Sequence, residues 1–396
     1  MIIYNKTWLN NLQIQQEAEQ LHNAGCLTHD ELKPIKEAYP VGFYMPGPFA
    51  RTGLFLLTCV GTSFSFSFLS LMMSSSGIID SFGWFLFLGL ICTIALEVLV
   101  KSKHYYRAGI NDALMWIAFG LLTVATGWML GVDNYGTGHT HYLPTSMIIL
   151  VISFYFTLRY ANTIMSIISC LLLFAVVFFT WQQVGSFGNA TMPFIIMIVA
   201  ALLYFQATKL IKKAKQRYYE ECLIMVQIVS LVILYLAGNY FVIGYLNNML
   251  NNVVTDGPPT GIKLGPFFWA WTMLLPLLYI IRGVMKKNIM LIRIGLVLFA
   301  VAIFTFRTYY HVMSTELAMI IGGIALLVIA YTITRYLKTP KHRFTHIDID
   351  NTAGSDNLKL EALFTAATLG HSKAAPTQTD RFGGGNFGGG GTGGGF

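Results

Sequence analysis

Residues 192–217 read MPFIIMIVAALLYFQATKLIKKAKQR. The stretch is free of charge through Thr208, and then Lys209, Lys212, Lys213, Lys215 and Arg217 follow in quick succession. A bilayer core is crossed by about 20 apolar residues in helical form. Short loops rich in Lys and Arg stay in the cytoplasm. This one segment therefore predicts a helix that leaves the membrane on the cytoplasmic side. The same reading extends in both directions. Apolar stretches at 50–72, 83–100, 113–131, 143–158, 163–181, 192–208, 222–246, 266–281, 289–306 and 316–337 give ten expected spans. The stretches 143–158 and 266–281 are short for a full crossing and are expected to extend or to lie tilted.

The charges alternate with these spans. Arg51 precedes the first, Lys101, Lys103 and Arg107 follow the second, and Arg159 follows the fourth. Arg282, Lys286 and Lys287 follow the eighth, and Arg335, Lys338, Lys341 and Arg343 follow the last. The intervening loops hold only Lys263 and Arg307. The fold class expected is all-α, a polytopic membrane protein with both termini in the cytoplasm. Of the 396 residues, 55% are hydrophobic and 11% charged, against roughly 25% charged in soluble domains. The net charge of +8 is distributed as a topology signal. It implies contact with anionic lipid headgroups at the cytoplasmic face and no nucleic acid. None of Cys26, Cys59, Cys92, Cys170 and Cys222 falls in an expected outer loop, so no structural disulfide is predicted. The polar first 49 residues do not read as a signal peptide.

Residues 1–49 are expected to form a cytoplasmic helical hairpin. Trp8, Leu9, Leu12, Ile14 and Leu21 recur at helical spacing ahead of Gly25. Thr28 and Glu31 then form a capping box, and Pro34 is expected to limit or kink the second helix. So small a unit needs a surface to pack on: the membrane domain, a second copy or a partner. Beyond the ten-span domain of 50–337, residues 338–381 form a cytoplasmic tail with one short amphipathic helix at 357–369. Residues 382–396 are Gly and Phe with one Asn and one Thr, a composition too poor in apolar area to order itself. Phe382, Phe387 and Phe396 there are candidates for docking on a partner.

Ionisable groups at membrane depth are the default functional pointers, and few occur. Glu97 lies near the inner end of the second span with Lys101 four residues on, the spacing of a helical ion pair or of a cation site. Ser63, Ser67, Ser70 and Ser74 share one face of the first span, which suits close helix packing or a hydroxyl-lined path. Gln227 and Asn239 lie along the seventh span, as interhelical hydrogen-bonding groups or cavity lining. Pro276 is placed to bend the eighth. Arg51-Thr52-Gly53, Arg107-Ala108-Gly109 and Arg293-Ile294-Gly295 open spans one, three and nine alike. In each, Arg is read as reaching for headgroups and Gly as admitting a neighbouring helix. Asp133, His139 and His141 in the second outer loop are weak candidates for zinc or copper. No cofactor is implied, and no hydrolase motif is present.

Leu21-His22-Asn23-Ala24-Gly25-Cys26-Leu27-Thr28 resembles the opening of an uncharacterised family of bacterial predicted membrane proteins, a domain of unknown function. The run from Arg293-Ile294-Gly295-Leu296 through Tyr309-Tyr310, with Ile321-Gly322-Gly323-Ile324 and Arg335-Tyr336-Leu337, is similar to that family's C-terminal pair of spans. The resemblance implies a short cytoplasmic hairpin before many spans, in a bacterial inner membrane, and supplies no activity. The function expected is a non-enzymatic scaffold or assembly partner, with a small-solute or ion transporter as the alternative.

Overall fold

The computed structural model describes residues 2–23, 26–132, 141–250 and 264–309, with positions 320, 323, 324, 327, 328, 331 and 335 beyond them. Two short helices come first, α1 (Lys6–Asn23) and α2 (His29–Ala38). The long apolar helices follow: α3 (Pro48–Met72), α4 (Phe82–Lys103), α5 (Ile110–Met129), α6 (Tyr142–Tyr160), α7 (Thr163–Gln182) and α8 (Ser186–Ile211). The chain continues through α9 (Glu220–Leu236), α10 (Tyr240–Leu250), α11 (Gly265–Met285) and α12 (Ile289–Tyr309). Among the described residues, nine helices are long and apolar enough to cross a membrane. The tenth expected span lies mostly outside the described residues, and its described positions are helical.

Of the two outcomes expected for the short stretches, extension is the one found, because polar and aromatic residues at their ends join the helices: Tyr142–Tyr160 and Gly265–Met285. Two other expectations change. Pro34 does not stop α2, which continues to Ala38. It is the sixth residue of α2, inside the helix, and costs the one backbone bond that its missing N–H would make to Asp30. The seventh span is not continuous over 222–246. It ends at Leu236 and restarts at Tyr240.

Successive helices pair as antiparallel neighbours, α4 with α5, α6 with α7, α8 with α9 and α11 with α12. Short turns leave them little other choice. Their shared interior is built from small and flexible residues: Ala113, Ala118, Cys92, Met115 and Met165 are all nearly inaccessible. Small side chains let backbones approach and raise dispersion contact. The outward surface is the reverse, with Leu57, Phe64, Val151, Phe205 and Phe304 all exposed. Apolar exposure on that scale is untenable in water. Helix α3 is the extreme case, for none of its residues is buried.

The α1–α2 head sits on one end of this bundle. Ile3 N donates to Arg159 O at 3.0 Å, Tyr44 N to His104 O at 3.1 Å, and Tyr106 N to Tyr44 O at 3.3 Å. Tyr4, Trp8 and Phe43 close over Tyr106 and His104 in edge-on and stacked pairs 4.9–6.0 Å apart. Of the three surfaces the sequence left open to the hairpin, the membrane domain of its own chain is the one it occupies.

Candidate functional site

Two polar regions stand out, one at the head end and one inside the bundle. At the head end Glu97 lies on α4, one turn before Lys101. Lys101 reaches it at 3.0 Å as the expected i,i+4 pair. The stronger partner left no local sign in the sequence. Arg159, in the last turn of α6, forms a charged hydrogen bond to the same carboxylate. Both side chains are about three-quarters buried, at 23% and 25% exposure, where a charged hydrogen bond contributes roughly 1.5–3 kcal/mol. Because Arg159 also accepts the backbone N–H of Ile3, the group that clamps Glu97 also holds the chain's N-terminal segment.

Three further arginines of this end are also paired. Arg51, at the start of α3, donates to Asp112 at 2.7 Å. Asp112 lies in the first turn of α5, where a helix N-terminus favours a carboxylate. Arg107 bonds Glu221 at the start of α9 and lies 5.6 Å from the Tyr106 ring centre. Burial pushes the Tyr106 phenol up, so that ring stays neutral beside the guanidinium. Arg217 donates to Glu17 of the head at 3.0 Å, and Tyr218 to Asn10 at 3.1 Å. Arg51 and Arg107 were read as headgroup-seeking, and in the structure they cross-link loops instead. Within the repeated motif Gly109 has its own constraint: at φ +88, a Cβ there would lie 2.2 Å from Arg51 O. Gly295 likewise faces Ile280 closely, whereas Gly53 meets nothing within 4 Å.

Inside the bundle, the break between α9 and α10 is filled by Asn239. Its Oδ1 accepts from Phe241 N at 3.0 Å and Val242 N at 3.2 Å, capping α10. Its Nδ2 donates to Tyr235 Oη at 3.0 Å and to Thr305 Oγ1 at 3.1 Å on α12. Thr272 of α11 accepts from Tyr240 N at 3.0 Å, and Trp271 Nε1 donates to Leu234 O at 3.2 Å. The backbone groups freed by the break are thus met by neighbouring helices, as they must be away from water. Gly238 makes the turn possible, since a Cβ there would be 2.2 Å from the Trp271 ring.

The remaining candidates are dispersed. Gln227 donates to Thr208 of α8 at 2.9 Å, an interhelical bond. Ser63 and Ser67 are exposed on α3, and the Ser63 hydroxyl turns back to Cys59 O at 2.8 Å. Ser70 accepts from the Trp84 indole at 3.1 Å. His141 begins the turn into α6, while Asp133 and His139 lie outside the described residues, as do Phe382, Phe387 and Phe396. Among the described residues no three His, Cys, Asp or Glu side chains are grouped to hold a metal.

No family model, no curated protein and no solved structure matches this chain. Its reading therefore rests on its own geometry. Sequence reasoning missed Arg159, Asp112, Glu221, Tyr235, Thr272 and Thr305. Of these, only the Asn239 group had a local sign, the turn-forming pair Gly238-Asn239.

Proposed function

We propose that this chain is a multi-pass protein of the bacterial cytoplasmic membrane, with both termini cytoplasmic, acting as a non-enzymatic scaffold or assembly partner. The observation that carries the reading is the seating of the head. Backbone bonds, an aromatic cluster and the Arg217–Glu17 pair, with partners in three different loops, hold the head on the basic end. A docked head of this kind presents one fixed surface to the cytoplasm, which is what a partner needs and what solute passage does not. The polar groups of the Asn239 cluster and the Gln227–Thr208 pair are engaged within the protein, which also suits a packed support.

The test is purification of the intact chain in mild detergent, beside a chain ending at Asp380 and one carrying Lys33→Glu and Glu37→Lys on the exposed side of α2. A partner retained at fixed stoichiometry by the intact chain, and lost with one of these changes, is expected. A lone, monodisperse particle in all three would sink the scaffold reading.

The interrupted seventh span favours a second reading, transport. Broken helices at depth are a recurring device of transporters. In liposomes, solute or proton flux that Glu97→Gln or Asn239→Ala abolishes, with folding intact, would replace the scaffold with this reading.

A further inference from the structure

The head end is charged differently on its two sides. On the α3–α7 side, Arg51, Lys101, Arg107 and Arg159 each face a carboxylate. On the α8–α12 side, Lys209, Lys212, Lys213, Arg282 and Lys286 are exposed, and no ion pair joins any of them to a described residue. Between Glu221 and Glu316 the only acidic residue is Asp256, in the loop between spans seven and eight that reads as lying at the opposite end, and of the two carboxylates that open α9, Glu221 already pairs with Arg107. Tyr204 of α8, Tyr279 of α11 and Leu291 of α12 belong to one packed cluster, which brings these helix ends together. Lys212 is eight residues past Tyr204, and Arg282 and Lys286 are three and seven past Tyr279. At 3.6 residues per turn each stays within about a quarter-turn of its tyrosine, so the cations ring the end of the cluster. Phe205, seven residues before Lys212 and so on the same face of α8, is exposed at 60%; on α11, Ile281 and Met285 are exposed on another face, turned away from Tyr279.

We infer that this corner is a binding site for an anionic glycerophospholipid, its phosphate on Lys212, Arg282 and Lys286 and an acyl chain along Phe205. Cations above an exposed apolar wall fit a lipid and not a free phosphate, which has no use for the wall. Clustered like charges repel, and an anionic headgroup relieves that repulsion. Each basic residue near a charged membrane surface is worth about a fivefold preference, so three together give on the order of 100-fold. The inference rests on the helices spanning a bilayer, and not on the scaffold role.

The test is lipid retention by the full chain, purified in mild detergent and measured by native mass spectrometry. Phosphatidylglycerol and phosphatidylcholine with the same acyl chains are the probes. The chain is compared with Lys212→Gln/Arg282→Gln/Lys286→Gln and with a control, Lys6→Gln/Lys33→Gln, which removes charge from the head. Expected is a strong preference for phosphatidylglycerol in the parent and the control, falling by at least tenfold in the triple variant with unchanged thermal stability. Equal retention of the two lipids by the parent overturns the inference, as does a triple variant that keeps the preference. In either case the charges serve topology only. Release of bound phosphatidylglycerol by millimolar inorganic phosphate also overturns it, in favour of a free-anion site. Alkaline carbonate extraction separates this from the membrane reading. A chain stripped into the supernatant fails the membrane reading itself, and one that stays in the pellet without lipid preference fails only the site.

Discussion

Gly53 and Gly109 occupy the same place in the same short motif, yet they carry different weight. Gly109 combines a positive φ with a backbone oxygen where its Cβ would be, and Gly53 has open space. Gly109→Ala is expected to cost roughly 3 kcal/mol or more, from backbone strain and overpacking together. Gly53→Ala is expected to be neutral or to stabilise by up to about 1 kcal/mol, through helix propensity. Thermal unfolding in detergent measures both, and equal shifts would refute the contrast. Asn239 is the other residue on which much depends. Asn239→Ala removes a cap and leaves Tyr235 and Thr305 short of a donor, so a loss of roughly 2–4 kcal/mol is expected in the same assay. Glu31 gives a pH dependence. The backbone N–H of Thr28, and then its hydroxyl, hold the Glu31 carboxyl below its ordinary range. A depressed carboxylate contributes above its unfolded pKa, about 4.3, and the contribution disappears as pH falls through the folded value. Hydrogen exchange in α2, corrected for intrinsic rates, should stay constant from pH 7 to 5 and quicken only in stronger acid. Glu31→Gln should remove that step.

At the scale of elements, the head is held by packing more than by charge. The Arg217–Glu17 pair is half-exposed on both sides, and such pairs contribute at most about 1 kcal/mol. Trp8 packs edge-on against both Phe43 and His104. Trp8→Ala should therefore open the segment around Pro40–Pro48 to protease in detergent solution, while Glu17→Ala leaves it resistant. Resistance in both variants would mean that the backbone bonds at Ile3 and Tyr44 suffice. The long helices were legible because an apolar run and its basic end are local, additive signals, as in 192–217. The interruption at 237–239 was not, because Leu236-Ala237-Gly238-Asn239-Tyr240 keeps the run apolar on average. Only the neighbours on α11 and α12 make a break there tolerable. The pairing of Glu97 with Lys101 could be read from spacing. Its pairing with Arg159, 62 residues away, required knowing that α4 and α6 end side by side, which periodicity does not encode.

The whole molecule divides its charge unevenly between its two ends, and that distribution makes orientation testable. With the native cysteines replaced, Thr137→Cys in the second outer loop should be labelled in intact cells by an impermeant maleimide. A cysteine at Lys103 should be labelled only after the membrane is opened. The reverse pattern would invert the proposed topology and place the head outside.

The seating of the head also sets an order of events during synthesis. Glu17 meets Arg217 across 200 residues and Asn10 meets Tyr218 across 208. At about 5–20 residues per second, the ribosome needs roughly 10–40 s to supply those partners once the head has been made. Trp8 and Phe43 can meet His104 and Tyr106 earlier, but for that interval Asn10 and Glu17 wait for their partners while further helices are inserted. The earliest part to emerge is among the last to settle, so its docking reports that the spans before Arg217 are in place.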